Sequence, residues 1–240
     1  MQQTEQQTVQ VTMPAGDVDL AAVGAVLADR ARARILLALG DGRSLPASVL
    51  AAEAGVAAST ASQHLARLTS AGLVTVTPRG RYRYYRLAGP EVGELIETLA
   101  RLAPAAPVRS LREGTRAHAV RRARSCYDHL AGRLGVAVTA ALLDAGHLVG
   151  AVEARSFQLT DGGRAALAGL GARLPEASGV RCCVDWTEQR PHLAGPHGRA
   201  LLTALLDRGW LRRAPRGRAL LLTDDGADGL ARSLGVSLGS

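Results

Sequence analysis

The spacing of apolar residues predicts four helices in the first part of the chain. Apolar side chains recur there every three or four residues, which is the period of one helix face. The predicted helices are residues 18–27, 30–39, 46–54 and 57–70. Gly55 makes a tight turn between the last two, and Gly72 ends the fourth. Two helices joined by a short glycine turn are typical of a helix-turn-helix motif.

The fourth predicted helix has an apolar face and a polar face. The apolar side chains that share one face are Val56, Ala61, Leu65 and Leu68. The side chains on the opposite face are Ser59, Ser62, Gln63 and Arg67. Glutamine can pair with adenine, serine accepts several bases, and backbone N–H groups at a helix start bind phosphate. The pattern suits a helix that enters the DNA major groove, although an ordinary polar surface helix would look the same.

A hairpin predicted directly after this helix favours DNA binding. Residues 73–77 alternate between apolar and polar as a strand does, residues 78–81 form a turn, and residues 82–87 return as a second strand. Arg79 and Arg81 lie at the tip, where the wing of a winged helix contacts the DNA backbone or the minor groove.

Arginine supplies all of the positive charge. The chain has 29 arginines and no lysine against 21 acidic residues, which gives a net charge of +8. Residues 56–90 contain five arginines and no acidic residue. A second group has only Glu113 among its arginines, which are Arg109, Arg112, Arg116, Arg121, Arg122 and Arg124. Positive charge concentrated in this way predicts contact with phosphate groups.

Residues 50–87, LAAEAGVAASTASQHLARLTSAGLVTVTPRGRYRYYRL, resemble the ArsR-type winged helix-turn-helix of bacterial repressors. Three parts together carry the resemblance: STxSxHL in the recognition helix, AGLV after it, and GRxxYYRL in the second wing strand. The resemblance extends over residues 18–102. It implies a homodimer built from helices 18–27 and 91–102, a palindromic DNA operator, and repression that an effector releases.

The expected DNA contacts combine the recognition helix with the wing. The side chains expected to face the major groove are Ser59, Ser62, Gln63 and His64. Thr60 and Arg67 should lie nearer the phosphates, while Arg79 and Arg81 should hold the flanking backbone or minor groove. A helix histidine that points partly inward can also simply pack, so His64 has that alternative.

The sequence departs from the ArsR pattern in two ways. Ala57 stands where the family often has a capping serine or threonine, a cap typically worth ~1 kcal/mol. Metal sensors of the family often carry paired cysteines in the helix at 46–54, or aspartate and histidine in the dimer helix. Neither helix has a cysteine or histidine here, so those two metal sites are predicted to be absent.

The second half of the chain contains an internal repeat. HLAGRLGVAVTAALLDAGHL, from His129, matches HLAGPHGRALLTALLDRGWL, from His192, at an offset of 63 residues. Each unit predicts a helix, a short hairpin and a closing helix, which resembles the second half of a winged helix. We therefore predict a mainly α protein with short β-hairpin wings. Its predicted parts are a winged helix-turn-helix domain (17–103), a linker and basic helix (104–128), and a duplicated effector or dimerisation domain (129–240) whose degenerate winged-helix-like repeats are 129–171 and 192–235.

A soft metal ion could be bound by Cys126, His129, Cys183 and His192. Two thiolates and two imidazoles suit tetrahedral zinc, and the repeat could bring the two histidines near a pseudo-twofold axis. The spacings match no strong zinc pattern, however, and Asp128 and Asp185 blur the ligand set. Purely structural roles and redox sensing by the cysteines are the alternatives.

Two other features of the second half leave alternatives open. A small organic effector could bind a pocket lined by Tyr127, Phe157, Trp186 and Trp210, although these aromatic residues could equally be core. The second repeat could add DNA contacts through Arg212, Arg213, Arg216 and Arg218.

Other protein classes are disfavoured. No apolar run is long enough for a membrane span and no signal peptide is evident, while three cysteines form no disulfide framework, so a cytoplasmic protein is expected. The absence of lysine and asparagine, with heavy use of alanine, glycine and arginine, indicates a GC-rich bacterial genome. The first 16 residues are expected to be a disordered tail. No phosphate loop, dinucleotide fingerprint or nucleophile elbow indicates an enzyme. The remaining alternative to a DNA-binding regulator is a winged-helix module that binds proteins and no DNA.

Overall fold

The structure of the chain is a computed structural model, in which residues 17–104, 107, 110–151 and 156–239 are described. The predicted disordered tail lies outside the described residues, as do Arg109 and residues 105–106 of the predicted linker.

From residue 17 onward, where the structure describes it, the N-terminal half folds as five helices and three short strands. Its elements are α1 (Leu20–Leu27), α2 (Arg30–Leu39), β1 (Leu45–Pro46), α3 (Ala47–Ala54), α4 (Ala58–Ser70), β2 (Val74–Arg79), β3 (Tyr82–Leu87) and α5 (Pro90–Leu102). Helix α1 begins two residues later than predicted because the Asp19 carboxylate caps it, accepting from the backbone N of Ala22 at 2.9 Å. Gly55 has a φ of +73°, the left-handed conformation that allows the tight turn between α3 and α4.

The three strands form one antiparallel sheet in the order β1-β3-β2. Pairing of β2 with β3 continues to Arg79 opposite Tyr82, so the turn of the hairpin is Gly80-Arg81 and not the predicted four residues. The shorter turn is possible because Gly80 takes a φ of +58°. Pro78 sits within β2 without breaking the sheet because β2 is an edge strand.

The apolar face predicted for α4 packs into the core of this half. Ala61, Leu65 and Leu68 are fully buried, and Val56 packs against the same cluster. Their partners are buried side chains of α2, α3, the sheet and α5, which include Ile35, Leu36, Leu39, Leu50, Val74, Leu87 and Ile96. The opposite, polar face of α4 is therefore left at the surface.

The described part of the C-terminal half contains five helices and eight short strands. Its elements are α6 (Leu111–Arg122), β4 (Arg124–Cys126), β5 (His129–Ala131), α7 (Gly132–Asp144), β6 (Leu148–Ala151), β7 (Ser156–Leu159), α8 (Asp161–Gly169), β8 (Gly179–Val184), β9 (Pro191–Leu193), α9 (Gly195–Asp207), β10 (Leu211–Arg213), β11 (Leu220–Leu222) and α10 (Asp224–Leu234). The basic helix predicted within residues 104–128 ends at Arg122, because Ala123 is extended and Arg124 begins a strand.

Two successive parts of this half have the same order of elements, namely strand, helix, hairpin and helix. Helices α7 and α9 each have 13 residues, and each follows its histidine-bearing strand, β5 or β9. Helices α8 and α10 begin alike. The hydroxyls of Thr160 and Thr223 each accept a 3.1 Å hydrogen bond from the backbone N–H of the glycine three residues later. Helix α7 packs against β9 and α9 against β5, so each part covers the other.

One apolar core lies between these two parts. It includes Leu134, Leu142, Phe157, Leu167, Leu205 and Leu230. Strands β6, β7, β8 and β9 form a four-stranded sheet in that order, while β4–β5 and β10–β11 are separate hairpins. In the described residues no helix has the length and apolar character required to cross a membrane.

Hydrogen bonds join the two halves of the chain. The backbone N of Tyr127 donates to the carbonyl of Gly40 at 2.7 Å. Arg43 donates to the carbonyl of Gly217 at 2.9 Å, in the turn of the β10–β11 hairpin. These contacts, together with ion pairs described below, place the C-terminal half directly against α2 and α5 of the N-terminal half.

Candidate DNA-binding surface and metal centre

The polar face of α4 is exposed as predicted. Ser59, Ser62, Gln63 and Arg67 are all at the surface. The helix starts after Ala57, and among the described residues no side chain caps it. Its first N–H groups are therefore open to an anion, which the positive end of the helix dipole also favours.

His64 differs from these neighbours. Its side chain is only 16% exposed, and its Nδ1 lies 3.7 Å from Oδ1 of Asp29, the residue that caps α2. The nearby carboxylate explains this position, because it attracts the imidazole toward α2. Thr60 is likewise half-buried. A contact of these two side chains with DNA stays a prediction.

The wing carries two exposed arginines that lie over tyrosine rings. The guanidinium carbon of Arg79 lies 5.3 Å from the ring centre of Tyr84, and that of Arg81 lies 5.0 Å from the ring centre of Tyr82. Arg81 also donates to the Tyr82 hydroxyl at 2.8 Å. A groove of about 590 Å³ separates the wing from α4, and both Ser62 and Arg81 border it.

Part of the second arginine group is not available to phosphate, which corrects the sequence-based expectation. Arg124 is fully buried, with Nη2 2.9 Å from Oδ2 of Asp185. Arg116 forms an ion pair with Glu53. Arg218, considered as a DNA contact of the second repeat, is buried and pairs with Glu97. These charges are compensated within the protein. The side chain of Arg112 is outside the described residues, while Arg121, Arg212, Arg213 and Arg216 are exposed.

The structure brings Cys126, His129, Cys183 and His192 together, with one donor atom from each within 4.8 Å of all the others. In β4–β5, Cys126 lies directly opposite His129, and in β8–β9, Cys183 lies directly opposite His192. The unequal spacings in the sequence thus correspond to two equivalent antiparallel pairs, closed by loops of different length. The two imidazole rings stack with their centres 5.2 Å apart.

The two aspartates that blur the ligand set in the sequence lie beside the histidines. Asp128 Oδ1 is 3.2 Å from Nδ1 of His129, and Arg199 donates to the other carboxylate oxygen at 2.6 Å. Asp185 Oδ2 is 3.9 Å from Nδ1 of His192 and accepts from the backbone N of Gly132 at 2.6 Å. A carboxylate beside a ligating histidine fixes the orientation of its ring.

Comparison with known proteins establishes the family. A helix-turn-helix domain family matches residues 27–77, from the end of α1 into β2. Over 225 residues the chain is 39% identical to YdfF of Bacillus subtilis (strain 168), an uncharacterized HTH-type transcriptional regulator, and the match covers 92% of this chain and 99% of YdfF. The chain belongs to the HTH-type transcriptional regulators. The prediction of a helix-turn-helix transcriptional regulator is thereby confirmed.

Other relatives match about a third of the regulator. CmtR of Mycobacterium tuberculosis (strain ATCC 25618 / H37Rv), an HTH-type transcriptional regulator, is 43% identical over 84 residues, which are 33% of this chain and 70% of CmtR. Reduced HlyU from Vibrio cholerae N16961 is 32% identical, with a TM-score of 0.32, and the match covers 35% of this chain and 88% of HlyU. The homodimeric winged helix-turn-helix domain of Mb0332 from Mycobacterium bovis, a possible ArsR-family regulator, is 35% identical, with a TM-score of 0.33, over 35% of this chain and 76% of that domain.

Several buried polar atoms of the regulator's Cys/His cluster lack a partner. Within the described residues, Nε2 of His129 and both ring nitrogens of His192 have no hydrogen bond. His192 is fully buried and His129 is 5% exposed. Buried imidazole nitrogens are normally hydrogen-bonded, so unpaired ones call for an explanation such as an ion.

The pKa values of the residues in the cluster are shifted in different directions. Hydrogen bonding to Cys126 and the neighbouring His129 outweigh burial and lower the pKa of Cys183 to about 5. Burial opposes the charged form of His129, but Asp128 and Cys183 outweigh it and raise its pKa to about 9. Burial, and the charge of His129, lower the pKa of His192 to about 3. At neutral pH the metal-free cluster therefore contains one thiolate, one imidazolium and one neutral imidazole.

A cavity of about 340 Å³ connects the cluster with α5. Cys126, His129 and Cys183 line one side, and Gly93 and Glu97 of α5 are among the residues of the other. An ion could reach the cluster through this cavity. Of the four aromatic residues considered for an organic effector, Tyr127 lines it.

The other three aromatic residues lie elsewhere. Phe157 is fully buried in the C-terminal core. Trp210 packs on Gly229 of α10, and the Trp186 ring lies 4.9 Å from the guanidinium carbon of Arg124. The structure therefore does not support one shared aromatic pocket.

Proposed function

We propose that this regulator binds a palindromic operator as a homodimer and represses transcription until an effector binds its C-terminal half. The groove between α4 and the wing carries the DNA-binding part of the proposal, because Ser62 and Arg81 border it from opposite elements. Ser59, Ser62 and Gln63 contact base edges, while Arg67, Arg79 and Arg81 contact phosphates or the minor groove. The relatives are named as regulators, and we propose no enzymatic activity.

Selection of duplexes from a random pool tests sequence-specific binding. The full chain should enrich a palindromic sequence. Gln63→Ala should then lower the preference for the selected duplex over a scrambled one by roughly 5- to 160-fold per half-site, since a bidentate base contact contributes ~1–3 kcal/mol. Gln158→Ala changes an exposed glutamine on β7 and should leave the preference unchanged. A chain that enriches no sequence would favour the protein-interaction alternative.

The homodimer is supported by apolar side chains that α1 and α5 leave uncovered. Val18 and Leu20 are 78% and 77% exposed, and none of the eight residues of α1 is buried within the described chain. At the end of α5, Leu102 is 79% exposed. A short helix depends on packing for its stability, so a second copy that covers this face would explain why the sequence is apolar there.

We further infer that the C-terminal half consists of two degenerate winged-helix-like units and serves as an effector domain. The matching order of elements and the mutual packing of α7 on β9 and α9 on β5 support a duplication. Its hydrogen bonds to the N-terminal half support a regulatory role, because a ligand there is next to the DNA-binding domain.

For the effector we propose a soft metal ion, with zinc as the first choice, held by Cys126, His129, Cys183 and His192. The unpaired nitrogens, the two cysteine sulfurs and the adjacent carboxylates form the donor set and support of a tetrahedral site. Bond lengths to Zn²⁺ place tetrahedral donors at most ~3.8 Å apart. Since the present donors lie within 4.8 Å, binding would draw them together by up to ~1 Å. The ion would stabilise this arrangement and carry no reaction.

Elemental analysis and thiol counting on chain purified without chelator test the metal site. One zinc per chain with two thiols protected from titration is expected. Cys183→Ser should lose the metal, whereas Cys182→Ser should keep it, because Cys182 lies outside the cluster. Metal-free protein with a disulfide between Cys126 and Cys183 that a dithiol reduces would favour the redox alternative instead.

A further inference from the structure

We propose that a buried chain of alternating charges, Asp185–Arg124–Glu97–Arg218, transmits the state of the Cys/His cluster to helix α5 of the DNA-binding half. The proposal rests on the cluster being the effector site, as proposed above. It assigns these residues a positioning role, since none of them touches DNA or belongs to the proposed donor set.

The four side chains form a continuous path through the interior. Arg124 donates to Asp185 at 2.9 Å and lies 3.6 Å from Oε2 of Glu97. The other carboxylate oxygen of Glu97 accepts from Arg218. Asp185 and Arg124 are fully buried, and Glu97 and Arg218 are each 6% exposed. Water therefore screens these charges little, and a shift of one is felt by the next.

The path begins in the strands that hold the cluster. Arg124 lies two residues before Cys126 in β4, so both side chains point to the same face of the strand. Asp185 follows Cys183 by two residues and lies 3.9 Å from the imidazole of His192. We infer that an ion that draws the cluster together by up to ~1 Å also shifts Arg124 and Asp185, which lie two residues from Cys126 and Cys183 in the chain.

The path ends on the helix that reaches both the wing and the proposed dimer surface. Glu97 is on α5, which begins three residues after β3 of the wing and ends at the exposed Leu102. A displacement of α5 would change how the two copies meet, and hence the separation of their α4 helices. In a dimer that separation has to match the spacing of the half-sites.

The junction between Arg124 and Glu97 is incompletely bonded. Within the described residues, Nε of Arg124 and Oε2 of Glu97 are both buried and lack a hydrogen bond. The 3.6 Å gap between these side chains can close to a full hydrogen bond or open further. Transmission between two sites needs an element that can take two arrangements, and we assign that role to this junction.

The test measures how Zn²⁺ changes DNA affinity. Fluorescence anisotropy with a duplex selected by the full chain gives the DNA Kd after dialysis against chelator and again with Zn²⁺. Chelator competition gives the Zn²⁺ Kd. For the wild type we expect the two DNA Kd values to differ ~5–150-fold, the usual range for coupled sites. Glu97→Met with Arg218→Met removes one positive and one negative charge, keeps Arg124 paired with Asp185, and cuts the link to α5.

The double variant should keep its Zn²⁺ affinity and its metal-free DNA affinity within about threefold of wild type, while the effect of Zn²⁺ on DNA affinity falls below about twofold. Glu53→Gln is the matched control, because it breaks another ion pair between the halves, with Arg116, that does not reach the cluster. It should keep the wild-type response.

The outcomes distinguish a failure of the transmission path from a failure of the proposed metal site. A wild-type chain that binds no Zn²⁺ overturns the metal site and the transmission path together. A wild-type chain that binds Zn²⁺ without any change in DNA affinity leaves the site structural and overturns the path alone. An undiminished response in the double variant also overturns the path alone.

Discussion

Removing the two wing-tip arginines should weaken DNA binding. The size of the loss should also show whether one wing or both wings of a dimer contact the DNA. Arg79 and Arg81 are exposed and lie over tyrosine rings, where their guanidinium groups remain free to meet phosphate. Within the described residues neither forms an ion pair with a carboxylate. The double change Arg79→Ala with Arg81→Ala therefore removes two phosphate contacts per wing and leaves the strands of the hairpin intact.

The magnitude follows from counterion release. Each phosphate contact contributes ~0.9 to the slope of log K against log salt, so one wing accounts for ~1.8 and the two wings of a dimer for ~3.6. At ~0.15 M salt these slopes correspond to affinity losses of roughly 30-fold for one wing and roughly 1,000-fold for two. The measured change in slope thus distinguishes a complex that engages one wing from one that engages both.

Anisotropy titrations of a selected duplex between ~50 and ~200 mM salt give the slope. The matched control is Arg173→Ala with Arg232→Ala, which changes the net charge equally at exposed positions of the C-terminal half. Its slope should stay close to that of the wild type. Equal slopes and affinities for the wing variant and the wild type would refute the assignment of the wing to the DNA backbone.

Two further predictions concern assembly and pH. Leu20→Glu should convert the full chain to a monomer in sedimentation at micromolar concentration, because it places a charge on the uncovered face of α1. The control Leu221→Glu changes an exposed leucine of β11 and should leave the dimer intact. A dimer that persists in Leu20→Glu would contradict this interface. Metal-free protein should lose stability as the pH falls from 6.5 toward about 3, because the depressed pKa of His192 means that the unfolded chain binds a proton that the folded chain does not. Urea unfolding with chelator gives the free energy of unfolding at each pH. His192 should contribute up to about 1.4 kcal/mol per pH unit to the slope of this free energy against pH, and His192→Gln should remove that contribution. Equal slopes in both proteins would show that His192 titrates normally.

The DNA-binding half was predictable because its signals are local. Gly55, Gly72 and Gly80 all adopt positive φ at the turns or helix ends where the sequence placed breaks. The buried Ala61, Leu65 and Leu68 occupy the face that their spacing defines. His64 was harder, since its position depends on Asp29, a residue in another helix.

Arginine charge could not be assigned from the sequence in the same way. Arg124 and Arg218 look like other members of basic clusters, yet both are buried because Glu97 and Asp185 compensate them. These acidic partners are far away along the chain, and only the tertiary fold brings them together. The predicted basic helix was too long for a local reason, because residues 124–126 pair with β5, which begins three residues after them.

The Cys/His cluster has no recognisable spacing in the sequence, although the fold brings its four residues together. The Cys-to-His spacings differ because only the loop between β8 and β9 is long, whereas the pairing within each hairpin is the same. Mutual packing then brings the hairpins together: a Cβ on Gly135 would lie 3.6 Å from that of His192, and one on Gly198 would lie 2.9 Å from that of His129. Each unit thus supplies one cysteine and one histidine, and neither holds enough donors for a tetrahedral ion by itself. With the proposed metal site, the C-terminal half should therefore bind one ion per chain and not two, and the proposed homodimer should hold two ions, each beside its own helix α5.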